Sequence, residues 1–173
     1  MSTTTQSRSK AETVPDLENP LALEQQVCFA LSVAARNVVA VYRPLLEPMG
    51  LTHPQYLVML ALWQQEPVSV RELSGLLRLD PGTLSPLLKR LEASNLIVRR
   101  RDTRDERALA VTLTGKGRAL REQAEKIPPA VVAKLGMPLE ELRQLHESLT
   151  RVIHVAQDAQ DALNEDSLTT DVG

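Results

Sequence analysis

Two short leucine patterns, set close together near the middle of the chain, constrain its fold more than any other feature. Ser69-Val70-Arg71-Glu72 opens the first. A serine followed three residues on by a glutamate is a capping box, in which the hydroxyl serves the third amide and the carboxylate reaches back to the first. The pattern predicts a helix to about Leu79 with Leu73, Leu76 and Leu77 on one face. Asp80-Pro81-Gly82-Thr83 predicts a turn, and Leu84, Leu87, Leu88 and Leu91 then give the i, i+3, i+4, i+7 stripe of a second helix. Pro86 has no amide to donate, so it fits best if that helix begins near Thr83 and holds Pro86 in its first turn. Two short helices, each with a single leucine face and joined by a tight turn, make a helix-turn-helix.

The residues after Ala93 extend the motif. Asn95-Leu96-Ile97-Val98 and Leu109-Ala110-Val111-Thr112-Leu113 read as two strands, with Leu109, Val111 and Leu113 alternating as a half-buried strand requires. Between them the run Arg99-Arg100-Arg101-Asp102-Thr103-Arg104-Asp105-Glu106-Arg107 crowds cations into what reads as a tight β-turn. The predicted fold class is mainly α with a small β-hairpin wing, a winged helix-turn-helix. From Val68 to Leu113 there are nine Lys/Arg against six Asp/Glu, whereas the remainder carries eleven against sixteen. A weakly basic head on an acidic body suits a protein that offers one face to phosphate; a solvated charge run is the plain alternative for any single cluster. The second helix turns its leucines inward and leaves Thr83, Ser85, Pro86, Lys89 and Arg90 outside. Small hydroxyl residues near a helix N-terminus approach base edges or phosphates, and the helix amides favour phosphate. Lys89 and Arg90 are better placed for backbone charge. Arg104 and Arg107 sit where a wing tip would enter a minor groove, with Asp105 either buttressing an arginine or forming a plain surface ion pair.

The head is flanked by helical patterns. Residues 1–20 read as a disordered tail, and a long helix is expected from Leu21 to Leu46, broken by Pro44 and Pro48. Thr52-His53-Pro54-Gln55 reads as an N-cap with proline in the first turn, opening a nearly all-apolar helix over Tyr56 to Trp63, a buried strut whose Tyr56 and Trp63 belong to the core. Thr114-Gly115-Lys116-Gly117 caps a helix to about Lys126, Pro128-Pro129 kinks or ends it, and a last amphipathic helix runs from Pro138 to about Leu163. The units are thus a tail (1–20), N-terminal dimerisation and strut helices (21–64), the winged head (65–113), C-terminal dimerisation helices (114–163) and a second disordered tail (164–173).

Several function classes are excluded or disfavoured. Aromatic residues make up 2% of the chain, so the core rests on Leu, Val and Ala. No apolar run is read as reaching the roughly 20 residues of a membrane span, and Met1-Ser2-Thr3-Thr4-Thr5 lacks a signal-peptide h-region, so a cytoplasmic protein without membrane contact is expected. The single cysteine, Cys28, removes disulfide frameworks and multi-thiolate metal sites. His53, His146 and His154 lack the i, i+4 spacing that places two imidazoles on one metal. There is no glycine-rich phosphate loop and no motif for nucleophilic catalysis, so neither metal nor cofactor nor enzymatic activity is expected.

The order of helix, buried helix, capping box, recognition helix, wing and two C-terminal helices resembles the MarR family of transcriptional regulators. Asn95-Leu96-Ile97, Asp105-Glu106-Arg107 and Leu113-Thr114-Gly115-Lys116-Gly117 match that family's pattern around the wing, and the likeness covers roughly Leu21 to Asp161. It implies a homodimer whose first and last helices form the dimerisation body, with two heads spaced for a palindromic operator in double-stranded DNA. Gln26-Val27-Cys28-Phe29-Ala30-Leu31, Tyr42-Arg43-Pro44-Leu45-Leu46 and Leu51-Thr52-His53-Pro54-Gln55-Tyr56-Leu57 further resemble the one-cysteine organic hydroperoxide sensors of the family. By that resemblance Cys28 is the thiol that is oxidised, after which the repressor releases DNA, and Tyr42 is its hydrogen-bond partner. Those sensors usually carry a second tyrosine where this chain has His53, and an aromatic residue where it has Ser32.

Fourteen residues along one helix is close to four turns, which places Cys28 and Tyr42 on roughly one face but about 21 Å apart. If they meet, an antiparallel helix from a two-fold partner must bring them together. His53 would lower the thiol pKa if protonated, or donate a hydrogen bond if neutral. Lacking a second cysteine in the chain, oxidised Cys28 would pass from sulfenic acid to a mixed disulfide with a small thiol, to a disulfide with the partner's thiol, or to over-oxidised forms. The plain alternative for Cys28 is an inert small hydrophobe on an apolar helix face, and for Tyr42 it is packing. Three rival functions remain: a repressor of the same family released by a small aromatic or phenolic ligand, a thiol peroxidase using Cys28 catalytically, and a purely structural interaction module, which gives no reason for arginines concentrated on a wing.

Overall fold

The computed structural model describes residues 19, 21–101 and 109–170, as backbone only at 101 and 164–170. Its elements are α1 (Val27–Leu46), α2 (His53–Gln64), β1 (Val68–Ser69), α3 (Val70–Leu77), α4 (Pro81–Ala93), β2 (Ile97–Arg101), β3 (Leu109–Leu113), α5 (Gly115–Ala119), α6 (Arg121–Ala124), α7 (Ile127–Leu135) and α8 (Leu139–Thr170). The fold is mainly helical with one small antiparallel sheet in the order β1-β3-β2. The expected tail over residues 1–20 lies outside the described residues, apart from Asn19, and so does the end of the second tail at 171–173.

The head is built around the leucine faces. Leu73 from α3, Leu84, Leu88 and Leu91 from α4, and Ile97, Val111 and Leu113 from the sheet are all buried. They pack on Val58, Met59 and Leu62 of α2, which acts as the strut. Leu76 departs from the expected face and is exposed, and so is Leu109 at the outer end of β3. The capping box of α3 is present: Glu72 N–H donates to Ser69 Oγ at 3.1 Å, and Ser69 N–H donates to Glu72 Oε2 at 2.8 Å.

Four local boundaries differ from expectation, each for a backbone reason. The turn between α3 and α4 is made by Arg78, held in the left-handed region at φ 52°, and not by Gly82, which lies inside α4. Helix α4 starts at Pro81 with Asp80 as its N-cap, because proline suits a first helical position where no amide donor is required. Pro86 therefore lies beyond the first turn, where the three buried leucines hold the helix despite the missing donor. Asn95 is not in a strand: at φ 57° it closes the turn after α4, and β2 begins at Ile97.

The sheet also holds a strand too short to show as a sequence pattern, since β1 contributes two residues, pairing Val68 with Val111 and Ser69 with Ala110. In the wing Ile97 pairs with Leu113 and Arg101 with Leu109; the expected tight turn falls on residues 102–108, outside the described residues.

In the body, α1 comes after a 3-10 turn at Leu23–Gln25 and runs through Pro44 to Leu46. Fully buried Leu46 and the packing of Val41, Tyr42 and Leu45 hold the helix against the lost bond at Pro44. A 3-10 turn at Glu47–Met49 continues it, and Gly50 at φ 67° reverses the chain. The continuous helical stretch Val27–Met49 is 23 residues long, has a mean hydropathy of 1.2 over an 18-residue window, and is long and apolar enough to cross a membrane, contrary to the sequence expectation. The discrepancy arises because Pro44 and Pro48 do not stop it. Pro128 and Pro129 open α7 instead of ending a helix, again as first-turn prolines. The last helix runs on to Thr170, past the Leu163 end expected for it; no glycine or proline lies between the two to stop it. Its 32 residues make a rod about 48 Å long.

Candidate nucleic-acid interface and thiol face

Helix α4 presents its outer face as expected, with Thr83, Ser85, Pro86, Lys89 and Arg90 all exposed opposite the buried leucines. The N-terminus of that helix is already occupied. Asp80 accepts from the Thr83 amide at 2.9 Å and from the Thr83 hydroxyl at 2.6 Å. These bonds hold the Asp80 carboxyl below the usual carboxylate range. A capping carboxylate fills the place where a phosphate would meet the helix amides, and it engages the Thr83 hydroxyl as well. Ser85, two residues further on, has no such engagement among the described residues, which leaves it the freer hydroxyl of the pair.

The cations of the head divide into two groups. Arg99 is spent internally: its guanidinium meets Glu92 at 2.6 and 3.1 Å, and its amide also donates to Glu92, at 3.2 Å. Those bonds lower the Glu92 pKa. Arg99 thus pins the start of the wing to the end of α4 and is lost from the basic run as a ligand for phosphate. Arg71, Arg78, Lys89, Arg90 and Arg100 are exposed and have no carboxylate partner among the described residues. Arg71 was not singled out in the sequence. It lines, with Ser69, Gly82, Ser85 and Leu109, a groove of about 670 Å³ between α3, α4 and the sheet. The signal for it was available, because a capping box fixes the second helical residue on the side away from the leucine face. Arg104, Asp105 and Arg107 lie outside the described residues.

On the body, Cys28 is the second residue of α1 and is exposed, with its carbonyl accepting from Ser32 Oγ at 2.8 Å. The structure brings Tyr42 and His53 together, with ring centroids 4.9 Å apart and an interplanar angle of 67°. Cys28 stands at the other end of the same helix. Tyr56 extends the aromatic group, 6.1 Å from Tyr42 and 6.3 Å from Trp63. Burial lowers the His53 pKa, so the imidazole is neutral at pH 7. Burial, and then the neighbouring Tyr42, raise that of Tyr56. His53 and Thr52 also line an open cleft of about 570 Å³ with Val39, Arg43, Glu47 and Pro54. Tyr56 is buried as expected, whereas Trp63 is only half-buried and uses its indole N–H on the Gly117 carbonyl at 2.9 Å. No three His, Cys, Asp or Glu side chains stand together as metal ligands among the described residues.

Residues 51–109, from just before α2 to the first residue of β3, match the MarR family. The HTH-type transcriptional regulator TtmR of Methylorubrum extorquens (strain PA1) is 47% identical over 132 residues, 76% of this chain and 68% of that one. The chain belongs to the MarR family. A second MarR-type relative, the organic hydroperoxide resistance transcriptional regulator of Bacillus subtilis (strain 168), is 40% identical over 129 residues, 75% of this chain and 88% of that one. Among solved structures, reduced AbfR bound to DNA superposes with a TM-score of 0.66 at 31% identity, covering 80% of this chain and 97% of AbfR, a protein of Staphylococcus epidermidis. CouR of Rhodococcus jostii RHA1 bound to p-coumaroyl-CoA superposes with a TM-score of 0.65 at 27% identity, covering 76% and 94%. The chain is therefore a MarR-family transcriptional regulator, with α3, α4 and the β2–β3 wing as its winged head.

Proposed function

We propose that this MarR-family regulator is a dimeric, sequence-specific DNA-binding repressor that releases its operator when an organic hydroperoxide oxidises Cys28. The observation that carries the reading is the contact of Tyr42 on α1 with His53 at the start of α2, ring centroids 4.9 Å apart, while the exposed Cys28 stands at the other end of α1. An antiparallel second copy of α1 would lay its Cys28 against this pair, and two equivalent thiol sites would form across one two-fold axis. The dimer has independent support. Val27, Phe29, Val38 and Val39 of α1 and Leu145, Val152, Ile153 and Val155 of α8 are exposed in the single chain. Arg36 and Arg43 interrupt the apolar length of α1 and Glu47 opens the 3-10 turn that continues it, so a second protein surface suits this stretch better than a bilayer, and the working site is the cytoplasm.

The chemistry is set by the residues present. The Cys28 thiolate attacks the outer oxygen of the hydroperoxide and the O–O bond breaks, forming a sulfenic acid and an alkoxide that takes a proton from water to leave as the alcohol; a small thiol then condenses with the sulfenic acid to a mixed disulfide and water. Neutral His53 and the Tyr42 hydroxyl serve as hydrogen-bond donors to the thiolate, which favours the charged form without requiring an imidazolium. The added group at the body interface alters the spacing of the two heads. Each head would read a half-site with α4 in the major groove, Ser85 toward the bases, Lys89 and Arg90 toward phosphate, and Arg104 and Arg107 of the wing in the adjacent minor groove. The likeness to a hydroperoxide-resistance regulator and to a DNA-bound structure supports this reading.

A second reading has its own observation: the cleft of about 570 Å³ beside His53 would admit a small aromatic or phenolic ligand, and the likeness to ligand-bound CouR favours it. A thiol peroxidase is disfavoured because the chain holds a single cysteine and its relatives are transcriptional regulators. The test is operator release by cumene hydroperoxide. Wild type is expected to dissociate and Cys28→Ser to stay bound; a Cys28→Ser protein that still dissociates overturns the redox reading in favour of the ligand one.

A further inference from the structure

The stretch Leu113-Thr114-Gly115-Lys116-Gly117 takes part neither in the proposed DNA contacts nor in the thiol chemistry, yet three parts of the head converge on it. On one side it grips the end of α4. The Thr114 amide donates to the Leu96 carbonyl at 3.0 Å, its hydroxyl donates to the Asn95 carbonyl at 2.7 Å, and Lys116 Nζ donates to the Ser94 carbonyl at 3.0 Å. On the other side it grips the end of α2. The Leu113 amide donates to Glu66 Oε2 at 2.7 Å, Arg118 donates to both Glu66 oxygens at 2.7 and 3.0 Å, and the Trp63 indole donates to the Gly117 carbonyl.

The Glu66 carboxylate substitutes for a strand here. β1 accompanies β3 only as far as the Val68 and Val111 pair, so Leu113 has no β1 residue opposite it. Glu66 supplies the missing acceptor, and Arg118 neutralises the charge that this places at the root of the wing. Arg118 is itself 56% exposed on its side chain, which on exposure alone would class it with the cations free for phosphate.

We infer that Glu66, Arg118 and Trp63 are positioning residues that hold the wing and the recognition helix at one fixed angle on the α2 strut. Specific recognition needs α4 and the wing to reach adjacent grooves together, whereas non-specific attraction to phosphate needs only their charge. The joint therefore contributes to operator selectivity more than to affinity for DNA in general, a role that rests on the proposed DNA binding.

The test uses the full chain with Glu66→Gln, Arg118→Ala and the double variant. Without DNA, amide exchange at Leu113 and the emission of Trp63, the sole tryptophan, report the joint directly. Exchange at Leu113 is expected to quicken about tenfold while the thermal midpoint moves by no more than about 4 °C. With DNA, the probes are a duplex enriched from a random pool on the wild-type chain and a mixed-sequence duplex, each titrated across salt. Affinity for the enriched duplex is expected to fall about tenfold in each single variant and no further in the double, since the two residues act through one contact. Mixed-sequence affinity and the salt slope should stay unchanged. A slope that falls by about one in Arg118→Ala identifies a phosphate contact and overturns the inference. Unchanged exchange and unchanged selectivity overturn it too. A wild-type chain that enriches no duplex sinks the DNA-binding reading instead, and Leu113 exchange still decides whether the joint exists.

Discussion

The head and the body of this regulator differ in how complete they are within one chain. The head has a filled core: α2, α3, α4 and the three-stranded sheet share one buried cluster, joined by Leu46 at the end of α1 and by Ala124, Ile127 and Val131 of α6 and α7, and its boundaries are pinned by Asp80, Glu92, Glu66 and Thr114. The two long helices of the body, α1 and α8, are left largely uncovered. Only Leu46 is buried in α1, and α8 has no buried residue among its described side chains, with Val155 68% exposed. A core that is satisfied internally folds as a unit, and apolar helices left uncovered require a second surface. Stability and assembly are therefore separable properties of this protein, carried by different residues.

The sharpest way to break the head alone is Gly117→Ala. A Cβ there would sit 2.1 Å from the Leu96 carbonyl oxygen, which already accepts from the Thr114 amide. The backbone must move, and a loss of more than about 4 kcal/mol in a urea titration is expected. The corresponding attack on the body is Val39→Glu with Ile153→Glu, two exposed apolar positions. Sedimentation is expected to show the dimer dissociation constant rising by about 100-fold or more, with the thermal unfolding of the head hardly changed. If the head melts along with the dimer, the separation of the two regions is wrong.

Smaller effects sharpen the picture within the head. Arg107→Ala should weaken operator binding and lower the salt slope by about one, as the loss of a single phosphate or minor-groove cation requires. Acid should erode stability in two stages. His53 has a lowered pKa in the folded chain, so the unfolded chain takes up its proton first and stability begins to fall as pH drops through the ordinary histidine range near 6.5. Asp80 and Glu92 also have lowered values. Their stabilisation is present above the ordinary carboxylate range and disappears as pH falls through their folded values. Asp80→Asn should therefore reduce the thermal midpoint at pH 7 and leave it unaltered at strongly acid pH, the smallest of these changes.

Much of the head was legible in the sequence because its signals are local. A capping box, leucines at i, i+3, i+4, i+7 and paired apolar strands each specify a period that a single segment can satisfy. The misplacements came where a residue has two local meanings. Proline reads as a breaker, yet Pro81, Pro128 and Pro129 open helices and Pro44 rides inside one. Glycine reads as the turn residue, yet Arg78 and Asn95 take the left-handed conformations. At the candidate thiol face the neighbours of Tyr42 were named from resemblance, but the aromatic group with Tyr56 and the neutrality of His53 were not legible, since both depend on how α1 crosses α2.

The sequence by itself determined the family, the order of the longer elements and the outer face of the recognition helix, because these are set by spacing along one helix or strand. Tertiary structure alone decided which charges are spent. Arg99 and Arg118 look like Arg71 and Arg100 in the sequence, but the first two meet Glu92 and Glu66 across the fold while the other two are left facing water. Whether a cation is available to a phosphate depends on which carboxylate the fold places beside it, and contacts spanning 52 residues, as between Glu66 and Arg118, are set by packing and leave no period to read.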